Sequence, residues 1–355
     1  MSDTNAIALT RARGLGPLPA MLEERAGHRM LERIFRSEGV PLGVIDEPHT
    51  PVPISAIQGI FARTGQLLED RTFGLQVGER MRSTGFGMWV EYALAADDLR
   101  SGLIRLTKTS WNQQTVGHME LADGADHTLL RYVPPRLKGP SMHHSDHVIM
   151  PMIDFARQFL GAQWRPQTVD VNYGSDRTAD LLQEHLGVPI RFDRPGVGIQ
   201  LSQRELAQRR TTPFGESRRL VTLRELAADT VLANAPEPAR AISAIVALRL
   251  LDGRTDIDGA ARLAGLSVQG LQRRLRHIGY TYREIVEVAR HARAASLLRE
   301  TTLPVVDIAL SLGYEEHPSF TRAFKRWTQL PPSEYRKVTV GDPRTRAIAR
   351  RSTEE

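Results

Sequence analysis

The sequence predicts an α+β N-terminal domain followed by an all-α C-terminal domain with two helix-turn-helix units. Three observations carry this prediction. Strand-like runs separated by turn residues occur only within residues 18–210. Beyond Pro238 the apolar residues recur with helical spacing throughout. That helical region contains the same motif twice, with its glycines, Gly265 and Gly313, 48 residues apart.

Taken in order, residues 1–17 are short of core-forming side chains and are expected to form a mobile arm. Segments 53–69 and 97–111 read as amphipathic helices; in the second, Leu99, Leu103, Leu106 and Ser110 share a face. Segments 116–121 and 127–132 read as strands joined across the hairpin-type turn Asp123-Gly124. Segment 169–173 is a third strand, and 190–192 and 198–201 are candidates for two more. Ser202 and Glu205 have capping-box spacing and should start a helix. Thr211 to Gly215 forms a hinge-like stretch, followed by a helical pattern at 218–232. Ala235-Pro236-Glu237-Pro238 makes a second break. The expected division is an arm at 1–17, a sensing and dimerisation domain at 18–210, and a helix-containing linker at 211–238. A domain with both repeated units follows at 239–340, and a tail at 341–355.

Composition sets the outer limits. The chain has 355 residues, 41% hydrophobic and 25% charged, within the normal range for globular proteins. With no cysteine, disulfides and thiolate metal sites are excluded, which fits a reducing cytoplasm. The first residues lack the apolar core of a signal peptide, and no apolar run is long enough to span a bilayer. The net charge of +6 is unevenly placed. Residues 240–340 hold 16 Lys and Arg against 10 Asp and Glu, whereas residues 1–239 hold 27 against 28. A locally basic domain beside a near-neutral one suits a polyanionic partner. A solvated Arg-rich helical surface gives the same count.

The repeat resolves more. Ala261 and Ala309 each precede a glycine by four residues, and an apolar residue follows each glycine, Leu266 or Tyr314. A new helix then carries apolar residues four apart, Leu271 and Leu275 or Phe320 and Phe324. Arg273 and Arg322 each stand two residues after the first of these. Two short helices that cross steeply need a tight turn, and glycine adopts the backbone angles it requires. The apolar pair anchors the second helix to its own domain. The remaining face is outward: Gln269, Gln272, Arg273 and Arg276 in the first unit, and His317, Ser319, Thr321, Arg322 and Lys325 in the second. Such side chains bond base edges and phosphates in the major groove of double-stranded DNA. Segment 282–300 reads as one long helix that would fix the spacing of the two units. Major-groove windows on one face of the duplex recur about every 34 Å, so one chain could address two of them.

At this point the sequence resembles the AraC/XylS family of regulators. The second unit carries the likeness in Asp307-Ile308-Ala309, Leu312-Gly313-Tyr314, Ser319-Phe320, Arg322 to Trp327 and Pro332 to Arg336. The first adds Gly265-Leu266-Ser267 and Leu271 to Leu275. Upstream, Phe73 to Gly78, the segment 87–99, Trp164-Arg165-Pro166 and Val188 to Phe192 resemble a subgroup whose sensor is called arabinose-binding-like. The resemblance implies a transcription regulator, more often an activator, with a small-molecule effector, RNA polymerase as a partner and a homodimeric state. It implies no cofactor. Three positions depart from the family pattern: Gly270 inside the first reading helix, Pro318 at the start of the second, and Pro304 in place of a polar cap. Glycine within a helix costs about 1 kcal/mol relative to alanine.

Other chemistry has two footholds. His143, His144, Asp146 and His147 cluster, and His143 and His147 at i, i+4 have the spacing of metal ligands on a helix. The same residues suit the polar start of a buried helix, with Ser141 or Ser145 as cap. Trp89, Trp111 and Trp164 are candidates for an effector pocket, or simply for core. No phosphate loop, nucleophile motif or catalytic carboxylate pair stands out. A regulator that is not an enzyme is the expectation; a sensor enzyme using the histidine cluster and an architectural protein are the rivals.

Overall fold

A computed structural model describes residues 7–124, 126–135, 142–210 and 237–340. The chain divides into two compact units, with the boundary between Ala235 and Pro236. The expected hinge at 211–215, the helix at 218–232 and the tail at 341–355 lie outside the described residues.

The N-terminal unit is α+β, as the alternating runs predict. Strands β1 (Leu9–Arg11) and β2 (Pro51–Pro53) form a small antiparallel pair. Five further strands are β3 (His118–Asp123), β4 (His127–Val133), β5 (Val169–Asp170), β6 (Ile190–Arg191) and β7 (Val197–Ser202). They form the principal sheet in the order β3-β4-β7-β5-β6. All neighbours are antiparallel except β5 and β6. The predicted hairpin at Asp123-Gly124 joins β3 to β4, with Leu121 opposite Leu130.

Helices account for most of the remaining described residues of the unit. They are α1 (Leu18–Ala26), α2 (His28–Ser37), α3 (Ile54–Leu67), α4 (Phe73–Arg80), α5 (Met88–Leu94) and α6 (Leu99–Lys108). The long α7 (Met142–Leu160) and the shorter α8 (Ala179–Leu186) and α9 (Gln203–Leu206) complete the unit. Helix α6 starts where Asp98 accepts from the Ser101 amide, and its Leu99, Leu103 and Leu106 are buried. The Ser202–Glu205 capping box forms in both directions, but α9 lasts a single turn. The core joins Leu103, Leu130, Ile149, Phe155, Ile199 and Leu201 from sheet and helices.

The first segment differs from expectation. Instead of a mobile arm through residue 17, the chain from Ile7 to Leu15 is built into the unit. The Leu9 amide donates to Thr115 Oγ1, the Thr115 amide donates to the Leu9 carbonyl, and the Arg11 amide donates to the Gln113 carbonyl. Arg11 Nε donates to the Asn112 carbonyl at 2.6 Å, and Arg13 reaches Gln113 Oε1 and Asn112 Oδ1 at 2.8 and 2.9 Å. Those arginines give a polar, arm-like composition yet engage in buried hydrogen bonds. Only residues 1–6 of the expected arm lie outside the described residues.

Every described element of the C-terminal unit is helical: α10 (Ala239–Arg249), α11 (Ile257–Leu263), α12 (Val268–His277), α13 (Tyr282–Glu300), α14 (Val305–Ser311), α15 (His317–Thr328) and α16 (Pro332–Val340). Helix pairs α11/α12 and α14/α15 are the two repeated units. Helix α13 connects them with the predicted bounds and opens on a capping box between Thr281 and Glu284.

Candidate nucleic-acid interface and effector cavity

The turn of each repeated unit is set by its glycine. Gly265 has φ of 66° and Gly313 has φ of 72°, the left-handed region that favours glycine. Gly313 is doubly constrained, because an added Cβ would lie 2.3 Å from the Gly253 carbonyl oxygen. Ala260, Ala261, Leu271 and Leu275 bury the inner side of the first unit. Ile308, Ala309, Leu312, Phe320 and Phe324 form the core of the second with Ala294 and Leu298 of α13. Trp327 and Tyr335 pack on that core.

The opposite sides are open. Gln269, Gln272, Arg273 and Arg276 on α12 are exposed, as are His317, Arg322 and Lys325 on α15. Ser319 and Thr321 are half-buried. The side chains of Arg273 and Lys325 make no hydrogen bond or ion pair among the described residues. Arg322 Nη2 donates to Ser319 Oγ at 3.2 Å, and Arg276 Nε reaches back to the Gln272 carbonyl at 3.4 Å. Arg326 differs, since it pairs with Glu287 of α13 at 3.3 Å.

The two helix starts are unlike. Ser267 caps α12 by accepting from the Gly270 amide at 3.1 Å. Helix α15 has Glu316 at its N-cap without a side-chain cap, and Pro318 in its first turn. Pro304 likewise precedes α14 without capping it.

Two arginines hold the units in place, and both look like surface charges in the sequence. Arg249 is buried and donates to Asp256 Oδ2 at 2.5 Å, while Asp256 caps α11 by accepting from the Gly259 amide. A side chain at Gly259 would collide with the Arg249 guanidinium. Arg290 of α13 donates to the Leu312 carbonyl at 2.9 Å and the Gly313 carbonyl at 3.0 Å. It also bonds Thr255 Oγ1 at 3.3 Å and lies 4.5 Å from the Tyr314 ring centroid. One guanidinium thus ties the turn of the second unit to the connector and to the loop before the first.

In the N-terminal unit a cavity of about 80 Å³ lies among α5, α7, β4 and the segments around Thr10 and Gln113. Trp89 lines it and donates from Nε1 to the Leu106 carbonyl at 3.0 Å. The other two tryptophans are elsewhere. Trp111 is 43% exposed and lies off the cavity. Trp164 packs on the core and donates to Glu205 Oε1 at 2.5 Å.

The histidine cluster is split by the helix it begins. His144 and His147 line the cavity, whereas His143 packs against Phe73 and the backbone of Gly65. Ser145 is not a cap; its hydroxyl donates to Asn172 Oδ1 at 2.7 Å. Ser141, the other candidate cap, lies outside the described residues. Asp146 is fully buried, accepting from Arg71 Nη1 at 2.6 Å and from the Tyr173 hydroxyl. Burial raises the Asp146 pKa despite the opposing pull of Arg71. Burial pushes His143 and His147 down to about 4 and His144 well below its usual value. Among the described residues no three His, Asp or Glu are grouped to hold a metal ion. No described helix is long and apolar enough to cross a membrane.

Comparison with known proteins decides the lineage. Residues 29–209 match the arabinose-binding domain of AraC transcription regulators, and residues 260–338 match a helix-turn-helix domain. The chain belongs to the AraC family of transcription regulators. An uncharacterized HTH-type transcriptional regulator of Mycobacterium tuberculosis is 26% identical to this AraC-family chain over 353 residues, 90% of this chain and 99% of its own. The ornithine utilization regulator of Pseudomonas aeruginosa is 39% identical over 83 residues. That match covers 23% of this chain and about a quarter, 24%, of the relative's length. The crystal structure of the regulator CdpR from Pseudomonas aeruginosa is 21% identical, covering 77% of this chain and 91% of its own, with a TM-score of 0.33.

Proposed function

We propose that this protein regulates transcription by binding double-stranded DNA in a sequence-specific way, with α12 and α15 as its reading helices. The observation that carries this is the repeated unit: two helices, each anchored by a buried apolar pair, each presenting polar and basic side chains outward. Gln269, Gln272, Arg273 and Arg276 read or anchor the first window, and His317, Ser319, Thr321, Arg322 and Lys325 the second. Arginine pairs bidentately with guanine and glutamine with adenine. The first unit leads in specificity. It offers Gln272 beside Arg273 and a capped helix start, whereas Pro318 supplies no amide to a phosphate.

The N-terminal unit senses a small molecule in the cavity beside Trp89, and ligand binding shifts its conformational population. The protein acts as an activator that contacts RNA polymerase, works as a homodimer in the cytoplasm and performs no catalysis. These readings rest on the family. Sedimentation showing only monomers, free and on DNA, would exclude the dimer.

Binding titrations against operators altered one base pair at a time test the reading mode. Arg273→Ala and Arg322→Ala should each cost about 1–3 kcal/mol on the specific site and much less on random DNA. Lys325→Ala should weaken all sequences alike. Full affinity and unchanged base preference in both arginine variants would refute it.

A further inference from the structure

The cavity carries more than its existence. None of its lining residues is Asp, Glu, Lys or Arg. Most of its wall is apolar, with Phe86, Trp89, Leu106, Met119, Met152 and Phe155 among its members. Several of its polar groups are already engaged. Thr10 donates to the Gln113 carbonyl and accepts from the Gln113 side-chain amide. The Ser83 hydroxyl donates to Asp154 at 2.6 Å, and His147 Nδ1 faces the His144 carbonyl.

What remains is a small polar end, with the Gln114 side-chain amide also on the wall. His144 is only 6% exposed, and its buried Nδ1 has no hydrogen-bond partner among the described residues. The Tyr132 ring lies 6.5 Å from the His144 ring, and its hydroxyl makes no hydrogen bond among the described residues. A buried polar atom left unpaired is costly, so a ligand group that bonds it is favoured. Both cavity histidines are held neutral by burial, so neither offers a charge to a carboxylate. An unpaired charge brought into such a site costs more than one hydrogen bond returns. A free sugar fares no better, because its several hydroxyls would exchange water for an apolar wall.

We propose that this cavity binds an uncharged, largely apolar small molecule whose single hydroxyl or carbonyl is held by His144 and Tyr132, and that it does not bind a free sugar. The inference rests on the reading of the N-terminal unit as the effector sensor and names the chemistry of its effector.

Ligand-observed NMR on the full chain tests it with 1-hexanol, hexanoate, hexylammonium and L-arabinose. The first three share a pentyl chain and differ at the sixth carbon, in its polar group and charge. Hexanol should bind at least about tenfold more tightly than either charged analogue, and arabinose not detectably. Met152→Trp, which fills the cavity, should abolish hexanol binding. His144→Phe, which keeps a ring but removes Nδ1, should weaken it about fivefold or more and carries the test if Met152→Trp does not fold. The proposal is overturned if arabinose or a charged analogue binds as tightly as hexanol, if none of the four binds, or if neither substitution weakens hexanol. Hexanol binding that leaves DNA affinity unchanged would uphold the ligand class while refuting the effector role of the cavity.

Discussion

His143, His144 and His147 oppose folding in acid. Burial holds His143 and His147 near pKa 4, with His144 also well below its usual value. Arg71 adds to the shift of His143 and outweighs Asp70, and His147 adds to that of His144, while backbone bonds to His144 and Gly14 oppose the shift of His147. In the unfolded chain each would titrate near the usual 6.5. Between about pH 6.5 and 4 the unfolded state therefore binds more protons than the folded one. Stability of the N-terminal unit should then rise with pH across that window and be lost as pH falls through it. The expected slope is on the order of 1.4 kcal/mol per pH unit for each histidine. Thermal unfolding of the full chain from pH 7 to 4.5 checks this, and an N-terminal transition unmoved by pH would contradict it. The spacing of these histidines is visible in the sequence, but their division is not. Only the packing of α7 against Gly65, Gly74 and Gly78 sends His143 one way and His144 and His147 another. Trp111 shows the opposite failure. Its size marks it as wall or core, yet the turn after α6 leaves it exposed, and pattern alone does not encode that turn's direction.

The element most legible in advance is the helix-turn-helix pair. Its signals are local: a glycine at the turn and apolar residues at helical spacing. The bounds of α13 and the exposure of Gln269, Gln272, Arg273 and Arg276 follow from those signals. The clamp made by Arg290 does not, because its partners are the Leu312 and Gly313 carbonyls more than twenty positions away. The difference between the two turns is likewise nonlocal. Gly265 has open space where a Cβ would stand, whereas Gly313 abuts the Gly253 carbonyl. Gly265→Ala should therefore cost only the backbone strain, about 1–2 kcal/mol. Gly313→Ala should cost more and shift the second unit against the loop before the first. Unfolding midpoints of the C-terminal unit, together with operator affinity, read the two variants. Equal losses from both would contradict the role assigned to the Gly253–Gly313 contact.

For the whole molecule, composition already separates a near-neutral α+β region from a basic helical region, and the structure divides the chain between Ala235 and Pro236. The strand order of the sheet is not legible in the same way, since β7 pairs with β4 and β5 across long stretches of intervening chain. The built-in segment from Ile7 to Leu15 is hidden because arginines near a terminus ordinarily face water, whereas Arg11 and Arg13 bond Asn112 and Gln113. Only Trp89 foreshadows the cavity. Its other walls come from segments scattered between Thr10 and Phe155. The central claim concerns the other end: one chain reads two successive major-groove windows because α13 holds α12 and α15 at a fixed separation. Methylation-protection footprinting of the full chain on an operator tests it most directly. The account predicts two protected major-groove patches about 10 base pairs apart, the first lost in Arg273→Ala and the second in Arg322→Ala. A single protected patch, or a pattern unchanged by either substitution, would contradict it.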